Sequence, residues 1–483
     1  MSKQDKEFVK EITPQSEDYS QWYLDVVLKA QMMDYSPVKG CMVIRPYGFT
    51  LWENMQQGLD KRIKATGHKN AYFPLFIPES LLQKEADHVE GFAPEVAWVT
   101  HGGNEKLAER LVVRPTSETI ICEMYSRWIQ SYRDLPVLIN QWCNVVRWEK
   151  VTRPFLRTSE FLWQEGHTAH RNEEEAEEET LKMLEVYRDF VENDLAVPLF
   201  VGRKTENEKF AGALRTYSIE ALMSDGKALQ AGTSHNLGTH FAKVFEITYL
   251  DRDGELKFVW QTSWGVSTRL IGAIIMVHGD DRGLVLPPKV APTQVVLVPI
   301  APKKVREEVL VKAAILYEEL RAAGIRVEMD DREEYSPGWK FNEWEMKGVP
   351  LRIEVGPRDL EAGQALLARR DTGGKETVSL EELMTRVPAL LAEIQANMYE
   401  KAKKFRDDNT HRTDDYAEFK QIIEEKRGFV LSRWCGDSAC ELAVKEETKA
   451  TIRCVPFNME TSPGKCLHCS TESTKLVYFA RAY

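Results

Sequence analysis

One stretch of mixed charge and bulk, residues 145–170, constrains the fold of this chain more than any other segment. Apolar and aromatic residues are interspersed there with three arginines and three carboxylates: Arg147, Arg153, Arg157, Glu149, Glu160 and Glu165. Charged groups are costly to bury unless a partner or a ligand compensates them. The pattern therefore predicts two strands joined by a loop at Lys150–Pro154. These strands would line a pocket for a small molecule with an anionic group.

The residue types in this stretch are compatible with two interpretations. Arginine suits phosphate, because its planar guanidinium donates two parallel hydrogen bonds and keeps its charge. The alternative is a pair of strands held together by ion pairs among Arg147, Glu149, Arg157 and Glu160, with no ligand at all. Composition by itself does not decide between them.

Three segments together resemble the class II aminoacyl-tRNA synthetases, in the form of the prolyl-tRNA synthetase family found in archaea and eukaryotes. The run Phe155–His167, which follows Arg147-Trp-Glu149, is similar to their motif 2. Gly67–Pro74 resembles motif 1, and Gln261–Gly272 resembles motif 3. The resemblance implies ATP-dependent activation of L-proline and its transfer to tRNA(Pro). It also implies a homodimer, because motif 1 forms the dimer interface in that family.

The fold class that follows has three parts. An α+β catalytic domain, an antiparallel sheet with helices, is expected over residues 1–286. An α/β anticodon-binding domain is expected over residues 292–395, after a proline-rich linker. Strand–helix alternation predicts a mixed, largely parallel sheet there, although a generic α/β module has the same pattern. A small α/β zinc-binding C-terminal domain is expected over residues 400–483, with a helical connector at Glu400–Lys426.

Two helices are predicted around the charged stretch. The run Arg114–Glu118 is typical of a helix start, with Thr116 as its cap and Glu118 in the first turn. Glu173–Asp194 has the pattern of an acidic amphipathic helix, whose apolar residues recur at helical spacing. Its apolar positions are Leu181, Leu184, Tyr187 and Val191.

The resemblance implies a set of residues that bind proline. A hydroxyl and a carboxylate supply the acceptors that a secondary ammonium needs, and an apolar wall suits the pyrrolidine ring. The expected residues are Thr116, Glu118, Arg147, Trp163, Glu165, His167, His235, Trp264 and Gly265. Without the resemblance, these residues are equally consistent with a helix start, a core tryptophan and a structural histidine.

The resemblance also implies residues that bind ATP. They are Arg147, Glu149, Arg157, Thr158, Gln230, Thr233 and Arg269. Arg147 and Arg269 are the expected catalytic residues. The charge of Arg147 would stabilise the negative charge that grows on the phosphoryl oxygens, and Arg269 would stack on adenine and contact the γ-phosphate. Mg²⁺ is expected with ATP, without assigned ligands.

The cysteines near the end of the chain form two close pairs, Cys435-x4-Cys440 and Cys466-x2-Cys469. Four thiolates suit a tetrahedral, structural Zn²⁺. Unliganded thiols are the alternative, and Cys454 and His468 are spare candidates. The prolyl-tRNA synthetase family has a zinc-binding C-terminal domain with this spacing.

Charge and hydropathy limit the partners and the location. The formal net charge is −11, so tRNA would have to meet local basic patches. Glu345, Arg352 and Arg358 are the candidate anticodon contacts, because these residue types pair with base edges; a solvated charged face is the alternative. The polar segment 1–10 shows no leader peptide, and Leu270–Val277 is too short to cross a bilayer. We therefore expect a cytoplasmic protein with no membrane contact.

Two rival functions need to be weighed. A class II relative that charges threonine would have a catalytic zinc site of cysteine and histidines in its pocket, and the motifs offer none. A catalytically silent relative that senses tRNA or proline would have lost Arg147 or Arg269, and both are present.

Overall fold

The computed structural model describes residues 12–86, 95–457 and 463–483, and the segment 1–10 lies outside these ranges. Up to residue 278, the described chain combines helices with mostly antiparallel strands. The helices are α1 (Tyr19–Lys29), α2 (Pro46–Ala65), α3 (Glu79–Ala86), α4 (Glu118–Trp128), α5 (Glu173–Asn193), α6 (His240–Val244) and α7 (Arg269–His278). The strands are β1 (Met33–Tyr35), β2 (Met42–Ile44), β3 (Lys69–Asn70), β4 (Phe76–Pro78), β5 (Ala97–Gly102), β6 (Glu105–Val113), β7 (Val137–Val146), β8 (Glu160–His170), β9 (Leu199–Arg203), β10 (Arg215–Leu222), β11 (Ala228–Gly238), β12 (Thr248–Leu250), β13 (Leu256–Phe258) and β14 (Trp260–Ser267).

The charged stretch ends in β8, which lies near one edge of the main sheet, between β14 and β7. β7 and β8 pair along their whole length, from Val137 opposite Ala169 to Val146 opposite Glu160. The loop between them is 147–159, longer than the predicted one. β14, β11, β10 and β9 extend the sheet beyond β8, each antiparallel to its neighbour. Because side chains alternate between the two faces of a strand, one face packs against α5 and the other borders a cleft.

The helix α5 is amphipathic, as its sequence predicts. Leu184, Tyr187 and Val191 are buried, whereas Leu181 is 38% exposed and belongs to the solvent face. The side chain of Asn172 caps the helix by accepting from the Glu175 N–H. Three glutamates in the first turn suit the positive end of the helix dipole. α5 thus closes the face of the sheet opposite the cleft.

The second unit is a five-stranded sheet with helices. The helices are α8 (Arg306–Ala322), α9 (Pro337–Met346), α10 (Pro357–Glu361) and α11 (Leu380–Asp408), and the strands are β15 (Val295–Pro299), β16 (Val327–Met329), β17 (Leu351–Val355), β18 (Gln364–Arg369) and β19 (Lys375–Ser379). β15 is parallel to β16 and β17, but β17–β18 and β18–β19 are antiparallel. The sheet is therefore mixed, as predicted, but only two of its four strand pairings are parallel. The connection 370–374, with Gly373 at φ +70, is too short for a parallel crossover.

The last unit builds a second small core. Its helices are α12 (Tyr416–Gln421) and α13 (Ser438–Thr448), and its strands are β20 (Thr410–Arg412), β21 (Phe429–Arg433), β22 (Thr451–Pro456), β23 (Gly464–Lys465), β24 (Glu472–Ser473) and β25 (Leu476–Ala480). The prediction of a helical connector at Glu400–Lys426 was wrong in its middle. α11 ends at Asp408, and β20 follows and pairs with β21.

The last unit continues the main sheet instead of standing apart from it. β22 pairs with β9, so eleven strands form one sheet in the order β20-β21-β25-β22-β9-β10-β11-β14-β8-β7-β3. A buried charge cluster spans the joint: Glu220 accepts from Lys204 Nζ at 2.8 Å and from Arg453 Nε at 3.0 Å. None of the described helices is long and apolar enough to span a bilayer.

Candidate functional site

Three neighbouring strands direct a row of side chains into one cleft of about 290 Å³. On β8, every second residue from Trp163 to His167 faces it. The register places Gly265 opposite Glu165 and Ser263 opposite His167, and it places β11 beside β14 in the same way. The row consists of Trp163, Glu165, His167, Ser263, Gly265, Ser267, Thr233 and His235.

The start of α4 forms a second wall of the cleft. Its hydroxyls bond to carboxylates and do not cap the helix. The cap position is Ser117, and its side chain makes no capping hydrogen bond. The Ser117 hydroxyl donates to Glu165 Oε1 at 2.5 Å, and the Thr116 hydroxyl bonds to the Glu118 carboxylate. The prediction of Thr116 as the cap was therefore wrong, because carboxylates compete successfully for both hydroxyls.

Two arginines face the cleft without a carboxylate partner. Among the described residues, no carboxylate oxygen lies within 4.0 Å of Arg147 or Arg269. Arg147 Nε donates to the Pro115 carbonyl at 3.0 Å, and its guanidinium lies over the rings of Phe161 and Trp163. Arg269 Nε donates to the Leu156 carbonyl at 3.3 Å.

The electrostatics of these two arginines favour an anionic ligand. Loss of hydration inside the protein, together with repulsion from Arg147 and Arg157, lowers the pKa of Arg269 to about 10. The same loss of hydration lowers the pKa of Arg147, although its side chain stays open to solvent through the cleft. Two like charges in one cleft are stabilised when an anion binds between them.

Glu165 and His167 form a buried pair beside the arginines. Their Oε2 and Nε2 atoms lie 2.9 Å apart. Burial opposes both charges, but the carboxylate raises the pKa of His167, and the imidazole in turn lowers the pKa of Glu165. On β11, loss of hydration and the nearby His167 lower the pKa of His235 to about 3. The cleft therefore has one imidazole that favours its charged form and one that stays neutral.

Glu118, Glu165 and His167 also have ligand atoms within 4.8 Å of one another, the distance expected of a metal site. Their donors are already in use, however. Glu165 Oε2 and His167 Nε2 bind each other, and the Glu118 carboxylate binds the Thr116 hydroxyl. We therefore assign no metal to this group.

The residues expected to bind proline all border the cleft, and four of the seven expected to bind ATP do so. The latter four are Arg147, Gln230, Thr233 and Arg269. Glu149, Arg157 and Thr158 do not border it: Glu149 and Arg157 form an ion pair at 3.9 Å, and the Thr158 hydroxyl donates to the Glu160 carbonyl. The side chain of Arg157 is 58% exposed.

Trp264 borders the cleft only through its backbone. Alternation along β14 turns its indole to the other face of the sheet, where it meets His68 and Tyr187 edge to face. The indole covers Gly166, and a Cβ built on Gly166 would lie 2.1 Å from it. Trp264 therefore supports the cleft from behind.

Sequence reasoning missed several residues that border the cleft. They are Phe161, Glu208, Lys209, Phe210, Thr216, Ala231, Ser263, Val266 and Ser267. Alternation from Gly265 would have identified Ser263 and Ser267. The segment 208–210 lies in the connection between β9 and β10 and has no local pattern that indicates a binding role.

The four cysteines of the two predicted pairs meet in space. The Sγ atoms of Cys435, Cys440, Cys466 and Cys469 all lie within 4.8 Å of one another, and none is in a disulfide. A tetrahedral zinc with Zn–S distances of about 2.3 Å separates its sulfurs by roughly 3.8 Å, so the donor set fits this metal. Cys454 is buried in β22 outside the cluster, and His468 faces Glu447 at 3.8 Å.

A smaller cleft of about 240 Å³ lies on the second unit. Glu345 and Arg352 border it, and Arg358 does not. Glu345 pairs with Arg282 at 2.9 Å, whereas Arg352 pairs with Glu354 and lies over the Phe341 ring. Arg282, Arg369, Arg370 and Lys375 give this cleft a basic rim.

Three family models match the chain: the tRNA synthetase class II core domain (G, H, P, S and T) over residues 98–278, the anticodon binding domain over 294–390, and the prolyl-tRNA synthetase C-terminal domain over 416–483. Together with the sheet, its cleft and the two further units, these matches identify the chain as a class II aminoacyl-tRNA synthetase.

The similar proteins narrow the class to one family. The chain is 67% identical to Proline–tRNA ligase of Natranaerobius thermophilus, and 64% identical to Proline–tRNA ligase of Symbiobacterium thermophilum and of Alkaliphilus oremlandii. Each of these alignments covers 100% of this chain and 100% of the relative. The chain belongs to the proline–tRNA ligase family.

Proposed function

We propose that the chain activates L-proline with ATP and transfers the prolyl group to tRNA(Pro). One observation carries the proposal: Arg147 and Arg269 face the same cleft, and neither has a carboxylate partner among the described residues. An unpaired guanidinium in a partly dehydrated cleft is stabilised by an anionic ligand. ATP and the proline carboxylate supply such anions.

In the first step, a carboxylate oxygen of proline attacks the α-phosphorus of ATP, and the bond to pyrophosphate breaks. Arg147 and Arg269 stabilise the negative charge that grows on the phosphoryl oxygens. Thr116 and Glu118 accept hydrogen bonds from the secondary ammonium, and Trp163 encloses the ring. This arrangement holds the nucleophile in line with the leaving group.

In the second step, a hydroxyl at the 3′ end of tRNA attacks the prolyl carbonyl carbon, and AMP leaves. The acceptor is selected elsewhere on the chain, where Glu345 and Arg352 border the basic cleft of the second unit. Arginine and carboxylate side chains there read base edges. Arg358 is exposed outside that cleft, and we assign it at most a contact with the tRNA backbone.

The remaining assignments rest on this function. We divide the chain into a catalytic domain (1–286), an anticodon-binding domain (292–395) and a zinc-binding domain (400–483). The four cysteines hold one structural Zn²⁺, which supplies folding free energy, and Mg²⁺ accompanies ATP. Two chains form a homodimer through the segment that contains the exposed Tyr72. A tRNA-charging enzyme acts where translation takes place, so we place this one in the cytoplasm.

The test is amino-acid-dependent exchange of pyrophosphate into ATP. We expect proline to support exchange far better than the other amino acids, threonine included. Arg147→Ala should lower the rate at least 100-fold, because one hydrogen-bond donor to the transition state is worth about this much. Arg188→Ala is the control, because Arg188 pairs with Glu185 on the exposed side of α5. Exchange supported by another amino acid, or by none, would contradict the proposal.

A further inference from the structure

The carboxylate of Glu165 is fully occupied by groups of the protein. Its Oε1 atom accepts from the Ser117 hydroxyl at 2.5 Å, from Gln141 Nε2 at 2.9 Å and from the Cys143 thiol at 3.3 Å. Its Oε2 atom lies 2.9 Å from His167 Nε2. Because both oxygens already have partners, Glu165 acts on a ligand mainly through the imidazole of His167.

The Cys143 thiol is a donor in this group. Burial and the neighbouring Glu165 carboxylate raise its pKa to about 12, so the thiol keeps its proton. It accepts in turn from the Trp163 indole N–H at 3.2 Å. Through Cys143, the contacts around Oε1 therefore reach Trp163, which borders the cleft.

Gln141 connects this group to a separate segment of the chain, at Phe73. It is completely buried and does not border the cleft. Its Oε1 atom accepts from the backbone N–H of Phe73 at 2.5 Å, and its Nε2 atom donates to Glu165 and to the Ser117 oxygen, the latter at 3.2 Å. Since a backbone N–H needs an acceptor, Phe73 fixes which end of the amide points to Glu165.

The far end of the Gln141 amide is itself anchored. The Phe73 carbonyl accepts from Arg114 Nη1 at 2.7 Å, and Arg114 is 1% exposed. Arg114 Nε also donates to the Asn144 carbonyl on β7 at 2.8 Å. The segment around Phe73 is thus tied to the same strand that carries Gln141.

We propose that Gln141 is a positioning residue for recognition of the amino acid. Its amide joins the Phe73 segment to the Glu165 carboxylate and so sets the direction of the His167 imidazole. Without the amide, Oε1 loses a donor, the Phe73 N–H is left without its acceptor, and the carboxylate can rotate with its histidine. The inference rests on the proposed function, because it takes proline as the ligand of this cleft.

Gln164 provides a matched control. It lies on the neighbouring strand β8, and it is also completely buried. Its amide donates to Asn140 Oδ1 at 2.7 Å and accepts from the Tyr187 hydroxyl at 2.5 Å. These partners lie on the α5 side of the sheet, away from the cleft. Replacing Gln164 thus removes an equally buried amide without touching the group around Glu165.

The experiment compares Gln141→Met and Gln164→Met with the parent protein in proline-dependent pyrophosphate exchange. Methionine keeps the length of glutamine and removes its hydrogen bonds. We expect Gln141→Met to raise KM for proline about tenfold, a loss of one hydrogen bond to a charged group, and to leave KM for ATP within about twofold. Gln164→Met should change neither KM, although both variants unfold more readily.

An unchanged KM for proline in Gln141→Met, or equal effects of the two variants, would overturn the inference. The proposed function fails in a different way, because the parent protein would then show no exchange with proline. If the parent protein supports exchange with proline and Gln141→Met has the parent's KM for proline, the positioning role is rejected and the proposed function is not.

If Gln141→Met does not fold, Gln141→Glu decides the question. This variant keeps an acceptor for the Phe73 N–H and places a second carboxyl group against Glu165. Two adjacent carboxylates bind a proton more tightly, and the protonated form again offers a donor. The KM for proline should therefore be raised at pH 8 and move towards the parent value at pH 6. A ratio of variant to parent that does not change with pH would reject the role. The other titratable and charged groups around this pair, shared with the parent, are Arg114, Glu118, Cys143, Arg147, His167 and Tyr187.

Discussion

At the scale of single residues, the site depends on which charges are paired inside the protein and which are not. Glu165 is fully hydrogen-bonded, and His167 pairs with it at 2.9 Å. Arg147 and Arg269, by contrast, donate only to backbone carbonyls among their recorded hydrogen bonds. A buried ion pair fixes the orientation of its two side chains at little net gain in stability. An arginine without a carboxylate partner can pair its charge with a ligand. Each type of charge therefore has a separate role.

The His167–Glu165 pair should make stability depend on pH. His167 has a pKa raised from 6.5, so its contribution is complete below pH 6.5 and is lost as pH rises through the folded value. Glu165 has a pKa lowered from 4.5, so its contribution is complete above pH 4.5 and is lost at lower pH. Both contributions are complete between these two values.

We therefore expect His167→Gln to reduce the free energy of unfolding most in that window, by about 3 kcal/mol, the cost of breaking a buried pair. The difference from the parent should shrink towards pH 9. Urea unfolding followed by tryptophan fluorescence at several pH values measures it. His101→Gln, at an exposed position in β5, is the control. A difference that grows above pH 7 would show that the pair does not carry the effect.

At the scale of elements, the contact between β8 and β14 shapes the cleft from behind. The register places Trp264 opposite Gly166, so the indole occupies the space that a side chain at Gly166 would need. On the cleft side of the same strands, Gly265 leaves room beside Trp163. The two glycines thus face opposite sides of the sheet, and each leaves the space that the packing on its own side needs.

Gly166→Ala should destabilise the protein by about 3 kcal/mol, because overpacking of a closed core has this cost. The added Cβ would lie 2.1 Å from the Trp264 ring. Trp264→Leu should recover part of the loss in the double variant, since it opens the space. Gly265→Ala is the comparison, because its nearest contact is the Gln164 carbonyl at 3.2 Å. Urea unfolding measures the parent, both single variants, the double variant and Gly265→Ala, and strictly additive effects of Gly166→Ala and Trp264→Leu would contradict a direct clash.

At the scale of the whole molecule, the last unit is bound to the first through one continuous sheet. β22 pairs with β9, and the Lys204–Glu220–Arg453 cluster is buried at that joint. At the very end of the chain, the Tyr483 hydroxyl donates to Asp225 at 2.7 Å and its ring lies beneath Arg153 of the β7–β8 loop. Unfolding of the last unit should therefore also destabilise the first unit.

Metal analysis should find about one zinc per chain. The double variant Cys466→Ser, Cys469→Ser should lose it, because only two thiolates of the cluster remain. We expect limited proteolysis of this variant to begin within residues 416–483. Cys41→Ser is the control, because Cys41 lies in the first unit away from the cluster. Zinc that stays bound in the double variant would contradict the assignment.

Local patterns in the sequence predicted the elements that depend on near neighbours. The mixture of charged and bulky residues at 145–170 indicated two strands joined by a loop, helical spacing indicated α5, and the spacing of Cys435, Cys440, Cys466 and Cys469 indicated one cluster. The class II fold and the family followed from the resemblance, and the comparisons confirm both. The assigned roles of individual residues around the cleft stay predictions.

Those patterns could not predict contacts between residues that are far apart in the sequence. The sequence predicted Thr116 as the helix cap, but Ser117 occupies the cap position, and Glu165, far along the chain, accepts from its hydroxyl. Gln141 has no distinctive spacing, and only the folded sheet brings Phe73 and Glu165 to its two ends.

The chain by itself determined its class, its charged strands and its cysteine cluster, because these are carried by residues close together along the backbone. Only the tertiary structure decided that Arg147 and Arg269 have no carboxylate partner within the part of the chain that it describes, that Trp264 faces away from the cleft, and that the last unit continues the main sheet. Hydrogen bonds and buried contacts form between groups that are close in space. Strand pairing likewise joins segments that are hundreds of residues apart in the sequence.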